Sequence, residues 1–135
     1  MGELVHAMTA VQFPSMRWQV MGALGSLADR GYQQRAWIDG QLPEPTQLDS
    51  LDLVVNVLFD DTDVLPEPAV CVGAVLLEGD EIAALRLLGS EFGALIDRIG
   101  DAADADYLSD AAWPEVVRLA GLALAAMVRR GGLCL

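Results

Sequence analysis

At 135 residues, with 53% hydrophobic and 21% charged residues, the chain has the length of one domain and too much apolar content for intrinsic disorder beyond its ends. Its 20 acids face 8 bases, all arginine, for a net charge of -12. Residues 39–115 hold 18 of the acids against Arg86 and Arg98 alone, a local excess of 16 negative charges, which argues against free nucleic acid and anionic membranes as partners because both need clustered cations.

The absence of lysine beside abundant Ala, Leu, Gly, Asp and Arg is the mark of GC-rich coding. The opening MGELVHAMTA has neither a basic stretch nor a hydrophobic run of signal-peptide type, so the chain is expected to be cytoplasmic.

In chain order, Val20, Met21, Leu24, Leu27 and Ala28 recur at three- and four-residue intervals and predict an amphipathic helix over 15–29, ended by Gly31. A short second helix follows at YQQRAWIDG, presenting Tyr32 and Trp37, and the prolines of QLPEPT make a loop. Over 47–59, Leu48, Leu51, Val54, Val55 and Leu58 share a helical face; their β-branched content leaves a strand open, with helix favoured. VCVGAVLLEGD, from 70 to 80, is the best strand candidate, but a strand without a partner cannot stand alone, so a buried extended segment or a first helical turn is the alternative.

A helix over 81–99 carries Leu85, Leu88, Phe92, Leu95, Ile96 and Ile99 inward and places Asp80 and Glu81 at the positive end of its dipole. The last helix starts at Trp113-Pro114, turns Val117, Leu124, Met127 and Val128 inward, and ends at Arg129-Arg130 before two glycines. Its apolar run at 119–128 is too short to span a bilayer. The expected fold is all-α: a compact single-domain bundle of four to five helices over 13–131, with a flexible N-terminus over 1–12, a tail over 132–135 and the segment near 70–77 as the one extended candidate.

Candidate chemistry is sparse. DDTD at 60–63 and the acids of 102–106 could offer oxygen ligands, but neither matches a calcium loop, and no metal is expected. Nucleophilic catalysis needs a base held by the fold; His6, the single histidine, lies in the expected mobile terminus. No catalytic residue and no cofactor is therefore assigned. Cys71 reads as a buried free thiol, and Cys71 and Cys134 form neither a metal-ligand pair nor a disulfide framework. For Trp18, Trp37 and Trp113 the core reading is favoured over an interface role, whereas Tyr107, among Asp104, Asp106 and Asp110, is expected at the surface.

The segments WQVMGALGSLADRGYQQRAWIDG, FDDTDV, VGAVLLEGDEIAALRLL and DADYLSDAAWPEVVRLA, in that order, resemble a family of small uncharacterised actinobacterial proteins, a resemblance that brings no catalytic residues. In size, acidity and helical build the chain is also similar in character to bacterial toxin-immunity proteins, by analogy alone. The functional expectation is a non-enzymatic acidic domain that binds a basic partner protein through Asp60, Asp61, Asp63, Asp104, Asp106, Tyr107, Asp110 and Trp37. A homodimer is the further partner option. The alternative is a small-molecule-binding protein or small enzyme with an interhelical pocket lined by tryptophans.

Overall fold

The computed structural model describes residues 11–41 and 49–129. Among them there are six α-helices and no strand, an all-α domain. Helix α1 spans Pro14–Leu27. Helix α2 spans Arg30–Gln33 and continues as a π-helical turn over Gln34–Ile38. Helix α3 spans Leu51–Val55 and likewise continues over Asn56–Asp61. Helices α4, α5 and α6 span Asp80–Ile99, Asp104–Leu108 and Trp113–Arg129. The expected terminal segments fall almost wholly outside the described residues, as do His6, Leu48 and Cys134. Val11 is buried and Gln12 donates its N–H to Gly73, so the packed chain already includes these two positions.

Local chemistry accounts for most boundaries. Pro14 opens α1, where a missing N–H costs nothing. The Asp29 carboxylate accepts from Tyr32 N–H and starts α2, which is why the first helix stops at Leu27 and not at Gly31. Ser50 caps α3 through Leu53 N–H. The helix favoured over 47–59 is thus found, beginning at the serine cap.

Three expectations are corrected. Residues 70–80 form no strand: Pro68–Cys71 is a 3₁₀ turn, and a single bridge between Val72 and Leu76 closes a tight loop that buries Val75 and Leu76. The acidic stretch read as a loop contains α5, which raises the helix number above four to five. In α6 the buried stripe is Val116, Leu119, Ala120, Ala123, Ala126 and Met127, whereas Val117, Leu124 and Val128 lie at its half-buried edge. Small alanines at the true seam let α6 approach α4 and α1, its main packing partners.

The core is organised along a chain of edge-to-face aromatics. Trp37 meets Trp113 at 6.5 Å, Trp113 meets Phe92 at 6.1 Å, and Phe92 meets Phe59 at 5.9 Å, so one ring from each of α2, α6, α4 and α3 takes part. Trp113 and Phe92 are fully buried. The core reading therefore holds for Trp113, and Trp37 packs against the core half-buried. Trp18 departs from it, being 41% exposed on the outer side of α1.

Gly89 shows how closely the 64–68 segment lies on α4. A Cβ there would sit 2.9 Å from the Pro66 carbonyl oxygen and 3.3 Å from Leu65 Cδ2. Although alanine favours a helix, Gly89→Ala is expected to destabilise the protein by about 1–3 kcal/mol through overpacking. Urea unfolding checks this, and an unchanged midpoint would mean the segment moves aside freely.

Candidate functional site

Two buried polar assemblies fix the surface. In the first, Arg17 of α1 and Glu81 of α4, both fully buried, form a two-pronged ion pair at 2.7 and 2.8 Å. The guanidinium also donates to the carbonyls of Val75, at 3.3 Å, and Met127, at 3.4 Å, while Glu81 accepts from Leu77 N–H at 2.8 Å. Two helices, the 75–77 loop and the end of α6 thus meet at one charge pair. Arg17 Nε has no partner among the described residues. In the second assembly, Trp113 Nε1 donates to Gln33 Oε1 at 3.0 Å, and Gln33 Nε2 donates to the carbonyls of Ser26 and Leu27. That clamp sets α2 against α6.

The sequence-predicted residues separate into two groups. Asp60 and Asp61 end the π-helical turn of α3, and Asp63 follows with φ of 59°, a left-handed conformation that aspartate tolerates; all three are exposed. Asp104 and Tyr107 lie at the other end of α3, where the Asp104 carboxylate accepts from Leu51 N–H at 3.2 Å; Asp106 shares α5 with them, and Asp110 follows in the α5–α6 turn. The two groups sit at opposite ends of α3 and its continuation, which together are eleven residues and about 16 Å long. They do not converge on one point.

Tyr107 is a correction: it is 5% exposed, and its hydroxyl donates to the Gly100 carbonyl at 2.5 Å. Burial, then the Asp101 and Asp52 carboxylates, push its phenol above the ordinary value. Its ring is therefore a strut under the acidic surface. Trp37 likewise turns its ring to the core, and Asp110 is engaged by Arg98. Of the residues expected to meet a partner, Asp60, Asp61, Asp63 and Asp106 are exposed.

Two acids absent from the sequence-based set complete the surface. Asp52 and Asp101 line a shallow notch of about 150 Å³ with Leu51, Val55, Ile96 and Tyr107. A second, wider groove of about 400 Å³ runs between α1 and α3, past Gly22, Leu53 and Val57, and ends at Tyr32 and Asp49. There the Tyr32 hydroxyl donates to the Asp49 carboxylate, and burial together with this bond pushes the phenol up to about 12. A phenol so raised stays protonated and acts as a fixed donor. Of the three indoles, Trp37 and Trp113 meet edge to face at 6.5 Å in the core, and Trp18 stands 41% exposed on α1.

No cluster of three or more potential metal ligands occurs among the described residues. No helix among them is long and apolar enough to cross a membrane. Cys71 is a buried free thiol donating to the Thr62 and Asp63 carbonyls, and burial foremost raises its pKa.

A family model described as Domain of unknown function (DUF7945) matches residues 11–132. The chain belongs to this family. No curated protein and no solved structure matches it.

In this DUF7945 domain two arginines near the acidic surface, Arg98 and Arg86, are already paired with carboxylates. Arg98 grips Asp110 with bonds of 2.9 and 2.8 Å, and Arg86 grips Glu67 with bonds of 3.1 and 2.5 Å. The Arg98 guanidinium, helped by Ala112 N–H, holds the Asp110 carboxyl at about 2, well below the ordinary 3.8. A depressed folded-state pKa contributes stability that is full above the ordinary value and lost as pH falls from about 4 to about 2. Asp110→Asn is therefore expected to flatten the acid limb of stability against pH in that window. Thermal unfolding at a series of pH values checks it, and superimposable acid limbs for the two proteins would contradict the assignment.

Proposed function

We propose that this DUF7945 domain is a non-enzymatic, cytoplasmic protein-binding module that engages a basic partner through the surface of α3, α5 and the α4–α5 turn, in the manner of an immunity-type inhibitor. The carrying observation is electrostatic. Of the sixteen acids from Asp49 to Glu115, only Glu67, Glu81, Asp110 and Glu115 have an arginine within ion-pair distance, which leaves twelve carboxylates without a cation partner among the described residues. Such a field repels nucleic acid and other acidic surfaces and raises the rate of encounter with a basic one.

Asp52 and Asp101 supply exposed charge at one end of α3, Asp106 adds to it from α5, and Asp60, Asp61 and Asp63 supply it at the other end. Their spacing suits a broad complementary patch better than a single bound ion. The lysine-free composition fits an actinobacterial, GC-rich source. Capture from the native cell extract at low and at physiological salt tests the reading, since the Debye length shrinks to about 8 Å at the latter. A basic protein recovered at low salt, and lost on Asp52→Asn/Asp101→Asn substitution, is expected. Recovery insensitive to both changes would overturn it.

A further inference from the structure

We propose that the groove between α1 and α3 is a docking site for an arginine side chain of the basic partner, with its guanidinium on Asp49 and its methylenes along Leu53 and Val57. The inference rests on the protein-binding reading above and gives that partner a point of entry away from the Asp52–Asp101 notch.

Three features of the groove point to this occupant. First, the carboxylate is oriented but not saturated. Tyr32 donates to one Asp49 oxygen and Ser50 N–H to the other, at 2.9 Å, so each oxygen keeps acceptor capacity for a two-pronged donor. Among the described residues no arginine lines the groove to use that capacity. Second, the wall beside it is apolar and open: Leu53 is 41% exposed, with Val57 one turn further along α3. An arginine stem covers such a wall while its head reaches the carboxylate.

Third, Gly22 sits in the interior of α1 and lines the groove, although glycine weakens a helix interior relative to alanine. At Gly89 the overlying Pro66 explains the missing side chain. At Gly22 an added Cβ would meet nothing within 4 Å, so no internal contact demands glycine. The space it leaves is available to an external group.

The test is a titration of isotope-labelled protein with an octa-arginine peptide, followed through backbone amide shifts at about 0.15 M salt. Wild type is compared with Gly22→Ala, Asp49→Asn and, as control, Gly93→Ala in α4, where an added Cβ also meets nothing within 4 Å. Both glycine replacements are expected to raise the melting temperature. The largest shifts are expected at Gly22, Leu53 and Asp49, with affinity weakened about tenfold or more by Gly22→Ala and Asp49→Asn and unchanged by Gly93→Ala. Unchanged affinity in Gly22→Ala, or shifts centred on Asp52 and Asp101, overturns the groove while leaving the acidic-surface reading in place. Absence of peptide binding overturns both.

Discussion

Glu81→Ala is expected to lower the unfolding free energy by about 3–5 kcal/mol, because it leaves the Arg17 guanidinium buried without its counter-charge. The loss reaches further than one pair, since Leu77 N–H also loses its acceptor and the 75–77 loop its anchor on α4. The physics of buried charges supplies a sharper companion. Replacing both partners, as Arg17→Met/Glu81→Leu, removes the desolvation cost together with the attraction and is expected to recover most of the stability. Chemical denaturation of the single and double variants checks both. A single variant within about 1 kcal/mol of wild type would show that water reaches the guanidinium and that the pair is not the joint between α1 and α4.

Trp113→Ala is expected to cost about 3–5 kcal/mol. The indole is fully buried, touches Trp37 and Phe92 edge to face, and carries the bond that fixes Gln33. Trp113→Phe separates these contributions. It keeps most of the ring contact but leaves Gln33 Oε1 without its donor, for an expected loss of about 1–3 kcal/mol. Denaturant midpoints and slopes for the two variants measure the difference. Equal losses would assign the whole effect to the hydrogen bond, and no loss in either would contradict the aromatic chain as the organiser of the core.

The helices were legible because their apolar positions repeat with the helical period, and the caps Asp29 and Ser50 refine ends that periodicity leaves loose. The buried ion pair had a signal that polarity concealed. Arg17 precedes Val20, Met21 and Leu24 on one stripe, and Glu81 precedes Leu85, Leu88 and Phe92 on another, so both fall in register with core positions. The sequence places Glu81 at the positive end of the helix dipole, but its burial depends on a residue 64 positions away. The inward face of α6 includes Met127 as expected but otherwise lies one position from Val117, Leu124 and Val128, because its seam is largely alanine, which carries little hydrophobic weight in sequence but permits close approach.

Within the candidate site, the exposure of Asp60, Asp61, Asp63 and Asp106 followed from local charge. The burial of Tyr107 did not, because its acceptor is the carbonyl of Gly100 and its cover comes from α3. Asp52 and Asp101 were hidden among twenty acids, and only the tertiary arrangement sets them on the same notch. Asp49 becomes a site only when α2 brings Tyr32 to it.

The central claim is that the carboxylates left without arginine partners form a surface for a basic protein. The most direct measurement is the association rate constant with the basic protein captured from extract, taken across a salt series for wild type and for Asp52→Asn/Asp101→Asn/Asp106→Asn. For wild type a rate of about 10⁸ M⁻¹ s⁻¹ is expected at low salt, falling steeply as salt rises, with a slower, flatter dependence for the triple variant. A rate of about 10⁵–10⁶ M⁻¹ s⁻¹ that responds neither to salt nor to the substitutions would contradict it.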